Sequence, residues 1–86
     1  MITWYDDFES SNIHRLGFDP ERQEAHVEFQ DKSGNLTSHW AYWSVSQADF
    51  AAVHAGMPDK NGNLSVGAAV QKHLVRSGLY SSRKIS

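Results

Sequence analysis

At 86 residues, with 21% charged side chains and a formal net charge of −2, the chain is long enough for one domain and too short for two independent cores. It contains no cysteine, which excludes disulfides and thiolate metal sites and favours a cytoplasmic location over secretion. No apolar stretch approaches the roughly 20 residues that span a bilayer, so we expect a soluble protein without membrane contact.

The charge is distributed unevenly along the chain. Residues 1–45 carry three basic and eight acidic side chains, whereas residues 46–86 carry five basic and two acidic ones. An acidic half can dock on a basic protein surface, and a basic half can contact phosphates. The pattern therefore keeps both a protein and a nucleic acid open as partners.

We expect a single domain over residues 1–86 that begins with an arm, residues 1–9, in which aromatic and acidic side chains are mixed. Residues 12–45 predict a three-stranded antiparallel β-meander. Its first turn contains Asp19 and Pro20, and its second contains Gly34. Between them, apolar and polar side chains alternate with the period of a half-buried strand. The arm would add a fourth strand if it pairs with the sheet.

Strands paired straight across these turns would give the sheet one apolar face. That face would hold His14, Leu16, Phe18, Ala25, Val27, Phe29, Thr37, His39, Ala41, Trp43 and Val45. The opposite face would hold Ile13, Arg15, His26, Glu28, Leu36, Ser38, Trp40 and Tyr42. A bulge or a one-residue slip would exchange the two faces of the third strand.

Residues 46–78 predict two α-helices packed on one face of the sheet, which makes the fold α+β. Ser46 caps the first helix, whose apolar spacing extends to Met57, and a polar loop follows Pro58. Ser65 caps the second helix, and Gly78 marks its end. Residues 79–86 form an amphipathic tail that we expect to dock on the body.

The sequence contains no convincing catalytic or metal-binding constellation. Its five histidines lack metal-ligand spacing, and the expected register separates His14 from His39 by about 10 Å. The serines lie where turns and helix caps need a short oxygen, and the glycines do not form a phosphate-binding loop. We therefore predict no enzyme activity, no bound metal and no cofactor.

The aromatic run around Trp40 and Tyr42 is the most informative mixture of polar and apolar character. On an exposed sheet face these side chains could stack bases or anchor a peptide, and Arg15 beside them would add a cation–π contact. The alternative is that they pack under the helices or the tail. Both interpretations stay open at this point.

From Ser10 onward the chain resembles the KTSC domain, a module found at the C-terminus of some lysyl-tRNA synthetases and as a free-standing protein. The matching segments are Ser10-Ser11-Asn12-Ile13, Gly17-Phe18-Asp19, Val27-Glu28-Phe29, Gly34, Trp40-Ala41-Tyr42-Trp43-Ser44-Val45, Phe50, Ser65-Val66-Gly67 and Tyr80-Ser81-Ser82-Arg83-Lys84-Ile85. The chain departs from the pattern at Ser46, where the family usually has proline, and at Val70-Gln71, where it usually has Phe-Asn.

The resemblance implies a non-enzymatic binding module that contacts RNA or a nucleic-acid-associated protein. The candidate binding residues are Ser10, Ser11, Asn12, Arg15, Trp40, Tyr42, Lys72, Arg76, Tyr80, Arg83 and Lys84. A polar Ser10–Asn12 segment beside the basic tail could receive a phosphate or carboxylate. Alternatively, these serines bond the backbone and Arg83 pairs with an acid such as Asp19.

The second hypothesis is a protein-interaction or inhibitor module, encoded by a phage or a mobile element and acting on a larger complex. The acidic first half would then supply the docking surface. We expect a monomer or a weak dimer, since pairing between sheet edges could join two copies.

Overall fold

The computed structural model describes residues 1–86 and contains a five-stranded antiparallel sheet with helices on one face. The elements in chain order are β1 (Thr3–Tyr5), β2 (Ile13–Asp19), β3 (Glu24–Gln30), β4 (Leu36–Tyr42), α1 (Gln47–Ala55), β5 (Met57–Pro58), β6 (Leu64–Ser65), α2 (Val66–Val70), a π-helical segment (Gln71–Val75) and β7 (Ser82–Lys84). The predicted α+β class is confirmed. No helix is long and apolar enough to cross a membrane.

The sheet has the order β1-β2-β3-β4-β7, so the predicted meander forms its centre. The N-terminal arm pairs with β2 and supplies the fourth strand, with Thr3 opposite Phe18. The tail adds a fifth strand along β4, with Arg83 opposite Ala41. The expected docking of the tail thus takes place through backbone pairing at the sheet edge.

The predicted face assignment is wrong for β4. Leu16, Val27 and Trp40 lie side by side across the three central strands, so Trp40 and Tyr42 face the helices and His39 faces away. The reason is a register shift at the end of β3, beyond which Gln30 lies opposite Leu36. An irregular β-pair of this kind exchanges the faces of the strand residues that follow it, here as far as Tyr42. Val45, beyond the end of β4, lies in the core as predicted.

The predicted faces are also wrong at the start of β2, where the structure has a second register shift. It lies between Ile13 and Arg15 and turns Ile13 into the core, where only 2% of the residue is exposed. His14 consequently lies on the exposed surface. Both positions were assigned to the opposite faces in the sequence-based register.

The first helix begins as predicted but ends earlier. The Asp49 amide donates to the Ser46 hydroxyl at 3.1 Å. Gly56, with φ of +79°, terminates α1, and Met57 therefore starts a two-stranded hairpin with β6 instead of extending the helix. The predicted polar loop is the turn of this hairpin, and its Asp59 carboxylate accepts hydrogen bonds from backbone amides.

The second helix begins at the predicted cap, since the Ala68 amide donates to the Ser65 hydroxyl at 3.0 Å. After Val70 the backbone widens into a π-helical turn, closed by the bond from the Arg76 amide to the Gln71 carbonyl at 2.8 Å. Such turns are rare and recur at functional sites.

The hydrophobic core lies between the sheet and the helices. Phe18 of β2 stacks on Phe50 of α1 with ring centroids 4.7 Å apart. The buried cluster comprises Ile13, Leu16, Phe18, Ala25, Val27, Tyr42, Val45, Phe50, Val53, Val66, Val70 and Leu74. Its burial drives the helices onto this face of the sheet.

Candidate functional site

A broad groove of about 730 Å³ separates the β5–β6 hairpin, the second helix and the start of β2. We call it the basic groove. It is defined by Ser11, Asn12, Lys60, Gln71, Lys72 and Arg76. Of the predicted site residues, Ser11, Asn12, Lys72 and Arg76 come together here, although about 60 residues separate the two pairs along the chain.

The cations of the basic groove are free to meet an anion. Lys72 and Arg76 are four residues apart, about one helical turn, and Lys60 faces them from the hairpin turn. All three are exposed, and none forms an ion pair. Asp59 is the one acidic residue in the lining, and one of its carboxylate oxygens accepts from the amides of Asn61 and Asn63.

Close packing fixes the polar wall of the basic groove. The Ser10 hydroxyl donates to the Asn12 side-chain oxygen at 2.9 Å and accepts from the Ile13 amide at 3.1 Å. A Cβ added to Gly67 would lie 2.5 Å from that Asn12 oxygen, so the glycine provides the space for the Asn12 amide. Ser10 therefore orients the segment, as in the alternative interpretation of its role.

A second cavity, the aromatic pocket, lies between the inner face of the sheet, the π-helical segment and the tail, and has a volume of about 310 Å³. Its walls are Phe29, Trp40, Tyr42, Leu74, Val75 and Tyr80. Trp40 and Tyr42 are thus directed into a cavity on the helix side of the sheet. Gln71 lines both this pocket and the basic groove, so the two cavities are neighbours.

Tyr80, at the edge of the aromatic pocket, is hydrogen-bonded to the first helix. Its hydroxyl donates to the Asp49 carboxylate at 2.7 Å. That hydrogen bond, helped by burial, raises the pKa of Tyr80 to about 12. The side chain is therefore a neutral donor throughout the physiological pH range.

Arg15 lies on the outer face of the sheet, away from the helices, and contacts neither Trp40 nor Tyr42. Its guanidinium is 3.9 Å from the ring centroid of Trp4 and pairs with Glu28 at 2.6 Å. The predicted contact of Arg15 with Trp40 or Tyr42 is therefore wrong, and the guanidinium lies instead over the indole of Trp4 in the N-terminal arm. Gly17 makes the arrangement feasible, because a Cβ there would lie 2.8 Å from Trp4 ring carbons.

Two histidines lie in contact beside Trp4, a pair that the sequence analysis did not predict. His26 and His39 share a 2.8 Å hydrogen bond between ring nitrogens, and the other nitrogen of His26 contacts Glu24 at 2.7 Å. Burial, followed by the neighbouring His26, lowers the pKa of His39. The correct register of β4 is the signal that would have revealed this pair. No group of three or more metal-ligating side chains converges here or elsewhere in the structure.

The tail residues lie apart from the Ser10–Asn12 segment. β7 is three strands from β2, a separation of roughly 14 Å at the usual strand spacing. Arg83 lies 5.7 Å from the ring centroid of Trp43, while Lys84, the next residue, points to the other face. Arg83 does not pair with Asp19, whose partners are the N-terminal amine at 3.5 Å and Arg22 at 4.0 Å.

Comparison with solved structures identifies the architecture. A KTSC domain protein from Yersinia pestis superposes with a TM-score of 0.72 and 19% sequence identity over 100% of both chains. The chain has the KTSC-domain fold. No family model and no curated protein matches the sequence.

The departure of this KTSC-like domain from the family pattern falls at the boundary between its two cavities. Val70 and Gln71 stand where the KTSC resemblance predicts Phe-Asn. Val70 is fully buried and belongs to the core, whereas the half-buried Gln71 lines both cavities. One position of the pair is thus structural, and the other presents an amide to both surfaces.

Proposed function

We propose that this KTSC-like domain is a non-catalytic module that binds RNA by holding phosphates in the basic groove. The observation that carries the proposal is the convergence of three exposed, unpaired cations from two separate elements on one groove. Phosphate contacts of this kind release counterions and supply most of the sequence-independent affinity for nucleic acids.

The polar groups of the groove fit the same ligand. Ser11, Asn12 and Gln71 offer a hydroxyl and two amides beside the cations, and such groups commonly contact phosphate and sugar oxygens. The tail is a weaker candidate because Arg83 and Lys84 alternate across β7 and point to opposite faces of the sheet.

The salt dependence of RNA binding tests the proposal. Three phosphate contacts on a single strand predict a slope of about −2 for log affinity against log salt concentration. The double substitution Lys72→Gln and Arg76→Gln removes two contacts and should flatten the slope by about 1.4. Fluorescence anisotropy with a labelled single-stranded RNA, titrated at several salt concentrations, measures both slopes.

A matched control is the double substitution Arg22→Gln and Lys32→Gln, which removes the same charge at exposed positions outside the groove lining. It should leave the slope within a few tenths of the original value. Absence of RNA binding at about 50 mM salt would refute the proposal. An equal flattening in both double variants would show that net charge, and not the groove, determines binding.

A protein partner is the second candidate function, favoured by the exposed acidic side chains of the N-terminal arm. Asp6 and Glu9 are exposed and form no ion pair, so they can face a basic surface. A docking or inhibitor module encoded by a phage or a mobile element would act in this way. Pull-downs from host lysate with and without nuclease separate the candidates, because only a protein partner survives nuclease treatment.

A further inference from the structure

The aromatic pocket has the size and lining of a small-ligand site. Its volume of about 310 Å³ falls at the lower end of ligand pockets, which span about 300–1,000 Å³. Six of the nine lining residues are hydrophobic, and four of these six are aromatic. Flat aromatic walls favour a flat aromatic guest over a branched aliphatic one.

The hydroxyl of Tyr42, a residue that lines the pocket, lacks a protein partner. Tyr42 is only 4% exposed, yet its hydroxyl forms no hydrogen bond with any protein group, and burial raises the pKa of Tyr42. No fully enclosed polar atom in the molecule is unpaired, so this hydroxyl must reach open space, and the aromatic pocket is the cavity that Tyr42 lines. A hydroxyl that reaches open space from an otherwise almost fully buried side chain can bond a ligand atom.

Two further residues that line the same cavity carry polar groups. The indole NH of Trp40 and the side-chain amide of Gln71 also have no protein partner, and both residues line the pocket. Together with Tyr42 they offer donors and acceptors around an apolar interior. That combination matches the polar edge and apolar faces of a nucleobase.

The charge and the continuity of the surface indicate where such a base comes from. Gln71 borders both cavities, so a strand with phosphates beside Lys72 and Arg76 can turn one base past Gln71 into the pocket. We propose that the aromatic pocket takes one unstacked nucleobase of an RNA strand whose phosphates lie in the basic groove. This inference rests on the proposed RNA-binding function, but its first test does not require that RNA binds.

Free nucleosides test the pocket without phosphates. The full chain, labelled with ¹⁵N, is titrated with adenosine, guanosine, cytidine and uridine in turn, and the three tryptophan indole signals are followed by NMR. At least one nucleoside should shift the Trp40 signal while the signals of Trp4 and Trp43 stay in place. Val75→Phe, at a position that is 45% exposed, should fill the pocket and abolish the shift without disturbing the core. Tyr42→Phe should weaken binding several-fold by removing the hydroxyl.

An amino acid amide serves as the competing guest. N-acetylphenylalaninamide presents an aromatic ring without the hydrogen-bonding edge of a base. A Trp40 shift with this compound and with none of the nucleosides would overturn the proposal in favour of a peptide ligand. The absence of any shift with the nucleosides would overturn it as well.

RNA containing an abasic residue distinguishes the two proposals. Replacing successive bases of a short single strand by abasic residues should weaken binding roughly tenfold at one position while the salt slope stays constant. If no abasic residue weakens binding and the salt slope stays the same, the proposal for the basic groove stands and the proposal for the aromatic pocket is overturned. Nucleoside binding without any binding of RNA would refute the groove and overturn RNA as the source of the base.

Discussion

Tyr80 shows how a single hydroxyl links the tail to the first helix. Its hydrogen bond to Asp49 spans 31 residues of sequence and holds the aromatic ring at the edge of the pocket. Because the bond requires the phenolic proton, it persists only while Tyr80 is neutral. The raised pKa, about 12 against an ordinary 10.0, expresses the same coupling.

Tyr80→Phe should lower the free energy of unfolding by about 0.5–1.5 kcal/mol at pH 8, the usual contribution of one hydrogen bond. In the parent chain, stability should fall as the pH rises from 10 to 12, because the unfolded tyrosine ionises first. The variant should lose less over that range, although burial of Tyr42 maintains part of the effect. Urea unfolding at both pH values measures the difference. Equal stability of the two proteins at pH 8 would contradict the role assigned to the bond.

The roles of individual residues could be predicted only in part from the sequence. The caps at Ser46 and Ser65 could be read directly, because their hydrogen bonds are local. The partner of Arg15 could not, since Trp4 reaches it only after β1 has paired with β2. Contacts that cross strands depend on a register that no local pattern specifies.

At the level of elements, β7 closes one edge of the sheet. Its residues are exposed, but their backbone groups pair with β4, and the Ile85 amide adds a bond to the His39 carbonyl at 2.6 Å. Without these partners, β4 would present a row of free amides and carbonyls. Exposed strands of this kind pair readily with other chains.

Truncation after Ser81 should therefore destabilise the protein and promote self-association through β4. Light scattering coupled to size-exclusion chromatography should show a monomer for the full chain and concentration-dependent dimers or larger species for the truncated one. The control is Lys84→Ala, which keeps the backbone of β7 and should remain monomeric. A truncated chain that stays monomeric at high concentration would show that β4 is protected in another way.

The strands of the meander could be predicted because their side chains alternate, whereas their register could not. The shift near Gln30 reverses the faces of β4, and the alternation of the sequence is equally compatible with either face. β5 and β6 are two residues each, too short for any period to show. The π-helical segment has the same apolar spacing as an α-helix over one turn, so its wider turn is visible only in the backbone.

For the whole molecule, one histidine and two carboxylates have shifted pKa values that make stability depend on pH below 7. Burial and His26 lower the pKa of His39 from 6.5. Asp7 and Asp19 have pKa values below 3.8; the hydrogen bond from His54 is the main cause for Asp7. For Asp19, amide bonds from Arg22 and Glu21 and the N-terminal amine outweigh its burial.

Stability should therefore fall in two steps on acidification. The unfolded chain takes up a proton at His39 first, so the free energy of unfolding decreases as the pH drops below about 6.5. The carboxylates add a second decrease as the pH drops below about 3.8. His39→Gln should flatten the first step and leave the second. Urea titrations from pH 8 to 3 compare the two proteins, and an unchanged first step in the variant would assign it to another group.

The fold class and the basic candidate residues in the second half of the chain could be predicted from composition and spacing. Their assembly into one site could not. Lys72 and Arg76 meet Ser11 and Asn12 only because α2 packs against the segment before β2, where Gly67 leaves space for the Asn12 side chain. The same packing separates these residues from Arg83. Which distant segments become neighbours is a property of the tertiary fold.

The π-helical turn makes this arrangement sensitive to chain length. An α-helix advances about 100° per residue, so one further residue inserted between Gln71 and Arg76 would rotate the following segment by about that angle. Arg76 would swing away from the groove while Gln71 kept its position. A single insertion could thus uncouple the two cavities without altering a side chain in either one, which gives evolution a short route from a shared surface to separate ones.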